Sequence, residues 1–213
     1  MRSWIHTRTS MRTEPTRRQL VTGAAAALAG LAAFGAARPA AALTVNEARG
    51  LIDRAIGEVN GVINSGKAEG AMYRDFERIF ATYADVPTIA RSALGPAARS
   101  ASAADLRAFT TAYQSYIARK YGRRFREFIG GKIEVTDARP LKSYFEVISV
   151  AKLRGEAPFD LRWHVSDRSG KLLFFNIIIE GVNMLASERT EIGAMLDRRR
   201  GSVAGLIEDL KTA

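Results

Sequence analysis

The spacing of apolar residues divides the chain into a helical half and a stranded half. Val45, Ala48, Leu51, Ile52, Ala55, Ile56, Val59, Val62 and Ile63 recur every three to four positions, which predicts an amphipathic helix to about Asn64. Thr44-Val45-Asn46-Glu47 has the form of a capping box at its start, and Ser65-Gly66 ends it. A second helix places Met72, Phe76, Ile79, Phe80 and Tyr83 on one face. Asp85-Val86-Pro87 opens a short third helix over residues 88–94, closed by Gly95-Pro96. Ser102 caps the longest helix, expected to reach about Ile129, with a stripe of Leu106, Phe109, Ala112, Tyr113, Tyr116, Ile117, Tyr121, Phe125 and Phe128. Arg119, Lys120, Arg123, Arg124 and Arg126 occupy its other face, as a solvated helix surface or a docking surface for acidic partners or lipid headgroups.

After Gly130-Gly131 the period changes to two. Residues 132–137, 143–153 and 158–166 read as strands, with Pro140 as a break between the first two. Leu161, Trp163 and Val165 share one face of the third strand, and Arg162, His164 and Ser166 share the other. Asp167-Arg168-Ser169-Gly170 forms a hairpin turn into residues 172–179. There Leu172, Leu173, Phe174, Phe175, Ile177, Ile178 and Ile179 surround a lone Asn176. A strand apolar on both faces is expected to be buried on both, one face on core helices and the other against a further layer or an apolar ligand. Two helices, about 185–199 and 202–212, follow, split by Gly201. The predicted class is α+β: a helical N-terminal half, an antiparallel sheet of about four strands and C-terminal helices.

Composition changes this picture at the N-terminus. Thr16-Arg17-Arg18-Gln19-Leu20-Val21 is a twin-arginine pattern, followed by an alanine-rich apolar run and Arg38-Pro39-Ala40-Ala41-Ala42. Residues 1–42 therefore read as a twin-arginine type export signal cleaved near Ala42, in preference to an uncleaved anchor, leaving 43–213 as one domain in the periplasm. The full chain of 213 residues has 32 basic and 22 acidic side chains. Six arginines and one glutamate lie in the presequence, so the mature charge is +5 rather than +10. That suits weak attraction to anionic surfaces and gives no reason to expect nucleic-acid binding. The lack of cysteine excludes thiol catalysis, disulfides and thiolate metal sites.

Little catalytic chemistry is in view. His164 is the only histidine outside the presequence, on the more polar face of a strand, and reads as structural. No histidine–carboxylate cluster predicts a metal, no glycine-rich phosphate loop follows a strand, and no cofactor is expected. Asp85, Asp137, Glu146 and Asp160 are available carboxylates, but caps, turns and sheet surfaces account for them. A small α+β enzyme using one buried acid in an apolar pocket stays open at this point.

Three segments carry a family resemblance. Asp85-Val86-Pro87-Thr88-Ile89-Ala90-Arg91-Ser92-Ala93-Leu94-Gly95 resembles the D-V-x-x-I-A-R-x-x-L-G signature of the MlaC, or toluene-tolerance, family. Phe109-Thr110-Thr111-Ala112-Tyr113-Gln114-Ser115-Tyr116 with Tyr121 resembles its aromatic helix, and Glu180-Gly181-Val182-Asn183-Met184 with Arg189 its E-G-V turn. The chain departs from the family in having Pro96-Ala97-Ala98-Arg99 where an aromatic pair is frequent, Asn176 where Asp is frequent, and Asn183 where Ser is frequent. The resemblance implies a monomeric periplasmic lipid carrier, without catalysis, metal or cofactor. Such a carrier moves phospholipid between an inner-membrane ABC transporter complex and an outer-membrane lipoprotein complex, with transient membrane-surface contact; some related members are associated with hopanoids or other lipids. Each acyl CH₂ leaving water gains about 0.8 kcal/mol, so a carrier must wall in the tails and can leave the headgroup wet. The wall is expected between sheet and helices, from Phe80, Ile89, Leu94, Phe109, Tyr113, Ile117, Tyr121, Val147, Leu161, Trp163, Val165, Ile177, Ile179 and Met184. Arg91 and Arg189 are the motif arginines, for a headgroup or for a structural ion pair with Glu180 or Glu188.

Overall fold

The computed structural model describes residues 43–213; the expected export signal, 1–42, lies outside the described residues. Six helices and a five-stranded sheet make up the described chain: α1 (Val45–Ile63), α2 (Glu69–Tyr83), α3 (Val86–Leu94), α4 (Ala103–Gly122), β1 (Lys132–Leu141), β2 (Tyr144–Lys152), β3 (Phe159–Ser166), β4 (Leu173–Ile179), β5 (Val182–Asn183), α5 (Met184–Arg198) and α6 (Val203–Thr212). The strands form an antiparallel meander in sequence order. The fold is α+β, with a fifth strand of two residues added by a tight turn. Glu180 and Gly181 both have positive φ, 49° and 81°, as that two-residue hairpin requires.

The helix starts follow from local chemistry. Thr44 and Glu47 complete the capping box of α1, Asp85 accepts the N–H of Thr88, and Ser102 accepts that of Asp105. The long helix is shorter than its stripe implies. α4 stops at Gly122 and a 3₁₀ turn continues from Arg123 to Phe128. Gly122 is a point of close approach, since a Cβ there would lie 2.5 Å from the ring of Tyr73 on α2. Pro140 does not break the sheet. It sits inside β1, opposite Phe145, and β1 is an edge strand, where a missing N–H is tolerated.

Both sides of the sheet receive hydrogen bonds from the helical half. The amide of Asn60 donates to the Ile133 carbonyl at 3.1 Å and accepts its N–H at 3.2 Å, imitating a neighbouring strand. Arg49 donates to the Val135 carbonyl. On the opposite side, the Asp85 N–H donates to the Phe174 carbonyl at 2.8 Å, tying the α2–α3 junction to β4. An exposed edge would otherwise recruit other chains.

Register decides which face of the sheet meets the helices. Val147, Trp163 and Ile177 are aligned across β2, β3 and β4, as are Ser149, Leu161 and Ile179. This inner face packs on α1, while α2 packs on α1 and α4 packs on α2, and α3 and α5 meet β4. β4 is less buried than a doubly apolar strand predicts. Phe174 and Asn176 are buried, while Leu173, Phe175, Ile177, Ile178 and Ile179 are half-buried. A bulge between His164 and Val165 leaves Phe175 outside the ladder, turning it toward Tyr144 and His164 on the outer face.

The indole N–H of Trp163 donates to the fully buried Ser149 hydroxyl at 2.9 Å. Replacing Ser149 by Ala should therefore lower unfolding stability by about 1–3 kcal/mol, the cost of an orphaned buried donor. Urea denaturation checks this; an unchanged midpoint would mean that the indole finds another acceptor.

Candidate functional site

Between the lower inner face of the sheet and the helices lies an open cavity of about 720 Å³. A water occupies roughly 30 Å³ in the liquid, so this space equals about two dozen waters. Its size is within the usual range of small-molecule sites, and its wall is mostly apolar and aromatic. Strand residues Ile133, Phe159, Leu161, Trp163, Ile177 and Ile179 form one side. Ala55, Ile56 and Val59 of α1, Phe76, Ile79 and Phe80 of α2, and Tyr113, Ile117, Ala118 and Tyr121 of α4 form the other. Trp163 and Phe174 meet edge to face at 5.3 Å, as Phe128 and Phe159 do at 6.2 Å.

Of the fourteen residues expected in the wall, Phe80, Ile89, Tyr113, Ile117, Tyr121, Leu161, Trp163, Ile177, Ile179 and Met184 are brought together there. Leu94, Phe109, Val147 and Val165 are not. They are almost wholly buried at 2%, 0%, 0% and 0% exposure, and lie in the packed core outside the cavity lining. Their helical or strand phase is the inward one, but phase carries no information about position along the sheet. Arg91 and Arg189 are both exposed and neither lines the cavity. Neither pairs with Glu180 or Glu188; the Arg189 guanidinium instead lies over Gly95, where a Cβ would be 3.3 Å from its Nε.

Among the described residues the cation that borders the cavity is Arg124, exposed on the 3₁₀ turn, which the sequence placed in the basic face and not in the wall. The expected basic face of the long helix in fact divides by role. Arg119 caps the C-terminal end of α6 through the Leu210 and Ala213 carbonyls. Lys120 lies between Glu188 and Glu191, at 2.6 and 2.5 Å. Sequence reading also missed the wall from α1, because its apolar stripe is indistinguishable from one that packs on solid core. Val182 of β5, a large apolar side chain exposed at 53%, lines the cavity, and Ile129, equally exposed, follows the lining residue Phe128 in the chain.

The tyrosines of α4 show how polar groups are handled beside an apolar space. Tyr116 donates to Glu191 and Tyr121 to Glu188, while Lys120 stands 5.5 and 5.4 Å from their ring centres. Burial first, and then these carboxylates, push both phenols above their ordinary value, so they stay protonated donors.

A second polar network crosses the outer face. Arg139 Nε and Nη2 donate to Oε2 of the buried Glu146 at 2.8 and 2.5 Å. Asn176 Oδ1 accepts the N–H of Leu185, in the first turn of α5, at 3.1 Å, which turns the Asn176 NH₂ toward His164 Nδ1 at 3.4 Å. Nδ1 must then accept, and the ring proton sits on Nε2, 3.8 Å from Glu146 Oε1 and beyond hydrogen-bond reach. Asn176 thus fixes backbone and a neighbouring ring, the role a neutral amide suits, and His164 is structural. The carboxylate of Asp85 is a cap, that of Asp137 bonds the next N–H, and Glu146 is in its ion pair.

Among the described residues, no group of histidines and carboxylates could hold a metal, and no helix is long and apolar enough to cross a membrane. A family model described as MlaC protein matches residues 53–212. A solved phospholipid-binding protein from Ralstonia solanacearum, in complex with a phospholipid, is similar in fold. Its TM-score is 0.66 at 18% identity, over 76% of this chain and 94% of that one.

The buried imidazole carries a pH signature. Burial holds His164 below its ordinary 6.5, outweighing the opposing pull of Glu146. As pH falls through 6.5, the unfolded chain binds a proton that the folded chain refuses. Stability is therefore full above 6.5 and declines below it. Urea midpoints at pH 7.5 and 5.5 should show this decline, and His164→Leu should reduce it; equal declines in both proteins would assign it to other groups.

Proposed function

The chain belongs to the MlaC protein family, and from that premise we propose that it is a lipid carrier that holds phospholipid tails in the cavity between sheet and helices. The observation carrying this reading is an open, largely apolar space of about 720 Å³ that the protein does not fill with its own side chains. The fold shared with a protein solved in complex with a phospholipid supports it. Tails entering the cavity leave water at about 25 cal/mol per Å² of apolar surface, while a phosphate at the mouth stays hydrated. Arg124 is the side chain proposed to meet that phosphate, with Arg91 and Arg189 acting in the packing of α3 and α5.

The finer proposal follows the family. The carrier works in the periplasm after loss of residues 1–42. It exchanges lipid with an inner-membrane ABC transporter complex and an outer-membrane lipoprotein complex, using the exposed Ile129 and Val182 in brief contact with a membrane surface. Carriage without bond chemistry is favoured by the buried acid Glu146 being held in its ion pair with Arg139.

Ile177→Trp, on the cavity wall beside Trp163, tests the reading. In an open cavity the added ring costs less than the 1–3 kcal/mol of overpacking in a filled core, while uptake of a fluorescent phospholipid from vesicles falls at least about tenfold. A variant that unfolds, or one that takes up lipid as the parent does, would count against the cavity as the binding site.

A further inference from the structure

Two polar atoms beside the cavity have no partner within the protein. Tyr113 and Glu188 both line it, and both are more than nine-tenths buried, at 0% and 4% exposure. Tyr113 Oη and Glu188 Oε2 each lack a hydrogen bond. The residues are near enough for the Glu188 charge to act on the Tyr113 phenol, which burial in the first place keeps protonated. They do not bond each other. The donors around Glu188 are committed elsewhere: Lys120 and Tyr121 go to Oε1, and Tyr116 and Lys120 serve Glu191.

A buried polar atom without a partner is uncommon in native structures, and two on one cavity wall point to a group that arrives with the ligand. Its chemistry follows by elimination. Acyl chains satisfy neither atom. A phosphate or ester oxygen only accepts, and would face a carboxylate. An ammonium can donate to Glu188 but offers the Tyr113 hydrogen no acceptor. A hydroxyl does both, donating to Glu188 Oε2 and accepting from Tyr113 Oη. We propose that Tyr113 and Glu188 form a hydroxyl-binding anchor within the cavity, so that the preferred cargo is a lipid bearing a free hydroxyl, on its chain or on its headgroup. This rests on the carrier reading above.

The test uses delipidated full-length protein and two matched pairs of probes. Palmitic acid against 16-hydroxypalmitic acid places the hydroxyl on the chain. Dipalmitoylphosphatidylethanol against dipalmitoylphosphatidylglycerol, both singly anionic, places it on the headgroup. The hydroxylated member of at least one pair should bind about tenfold tighter, the increment of one buried hydrogen-bonded group; the pair that shows it identifies the source. Tyr113→Phe should bring the two members within about twofold of each other. Glu188→Gln, which puts an N–H where the acceptor stood, should narrow the preference likewise and serves if Tyr113→Phe does not fold. Equal binding within both pairs by the parent protein would overturn the anchor and leave the carrier reading standing, with a buried water as the bridging group. A preference surviving both substitutions would also overturn it. Failure of all four probes to bind would sink the carrier reading, and the anchor with it.

Discussion

The ammonium of Lys120, set between Glu188 and Glu191, is the contact on which the rest of the cavity depends. It fastens α5 to α4 at one side of the open space, with the Tyr116 and Tyr121 hydroxyls completing the same two carboxylates. Glu188 is almost wholly buried, so removing its cation would leave an uncompensated charge in an apolar surrounding, a change that costs several kcal/mol in comparable cases. At the start of the same helix, about one turn before Glu188, Asn176 receives the Leu185 N–H, and Asn183 receives that of Ala186. α5 is thus held at its start by the sheet and along its side by α4, and the space between those anchors stays open without filling side chains.

An apolar cavity beside this much polar chemistry needs its polar groups satisfied from behind. Trp163 presents its ring to the cavity and its N–H to Ser149. Tyr121 presents its ring to the cavity and its hydroxyl to Glu188. The sheet contributes through its edges as well, because Asn60 and Asp85 satisfy strand groups that would otherwise face solvent. What remains uncommitted is small, and it is concentrated at Tyr113 and Glu188. A wall that is apolar by area and polar at one point is how binding sites usually combine affinity with orientation.

Much of the fold was legible because local rules and the global arrangement agree. The Thr44 capping box, the Asp85 and Ser102 caps and the period change after Gly131 each place an element boundary near its observed position. Pro140 misled because its meaning depends on whether the strand is at an edge, which only the sheet order reveals. The same limit governs the cavity. Val147 and Ile177 share the inner face, yet the first is packed core and the second is cavity wall. Parity gives the face, and only the helix positions give where across that face packing gives way to open space. Arg91 and Arg189 stand in the most recognisable motifs, but Arg189 packs over Gly95 and Arg124, in no motif, borders the cavity. The surplus of tyrosine on α4 was a usable signal, since each hydroxyl needs a partner, and Tyr113 is the one left without.

The space between sheet and helices is expected to hold lipid when the protein is isolated from cells. Gentle purification of the protein, solvent extraction and mass spectrometry of the extract test this directly. The account predicts lipid at close to one molecule per protein, retained through size-exclusion chromatography and exchangeable with vesicles. Protein that comes away without lipid, and takes none from vesicles, would contradict it.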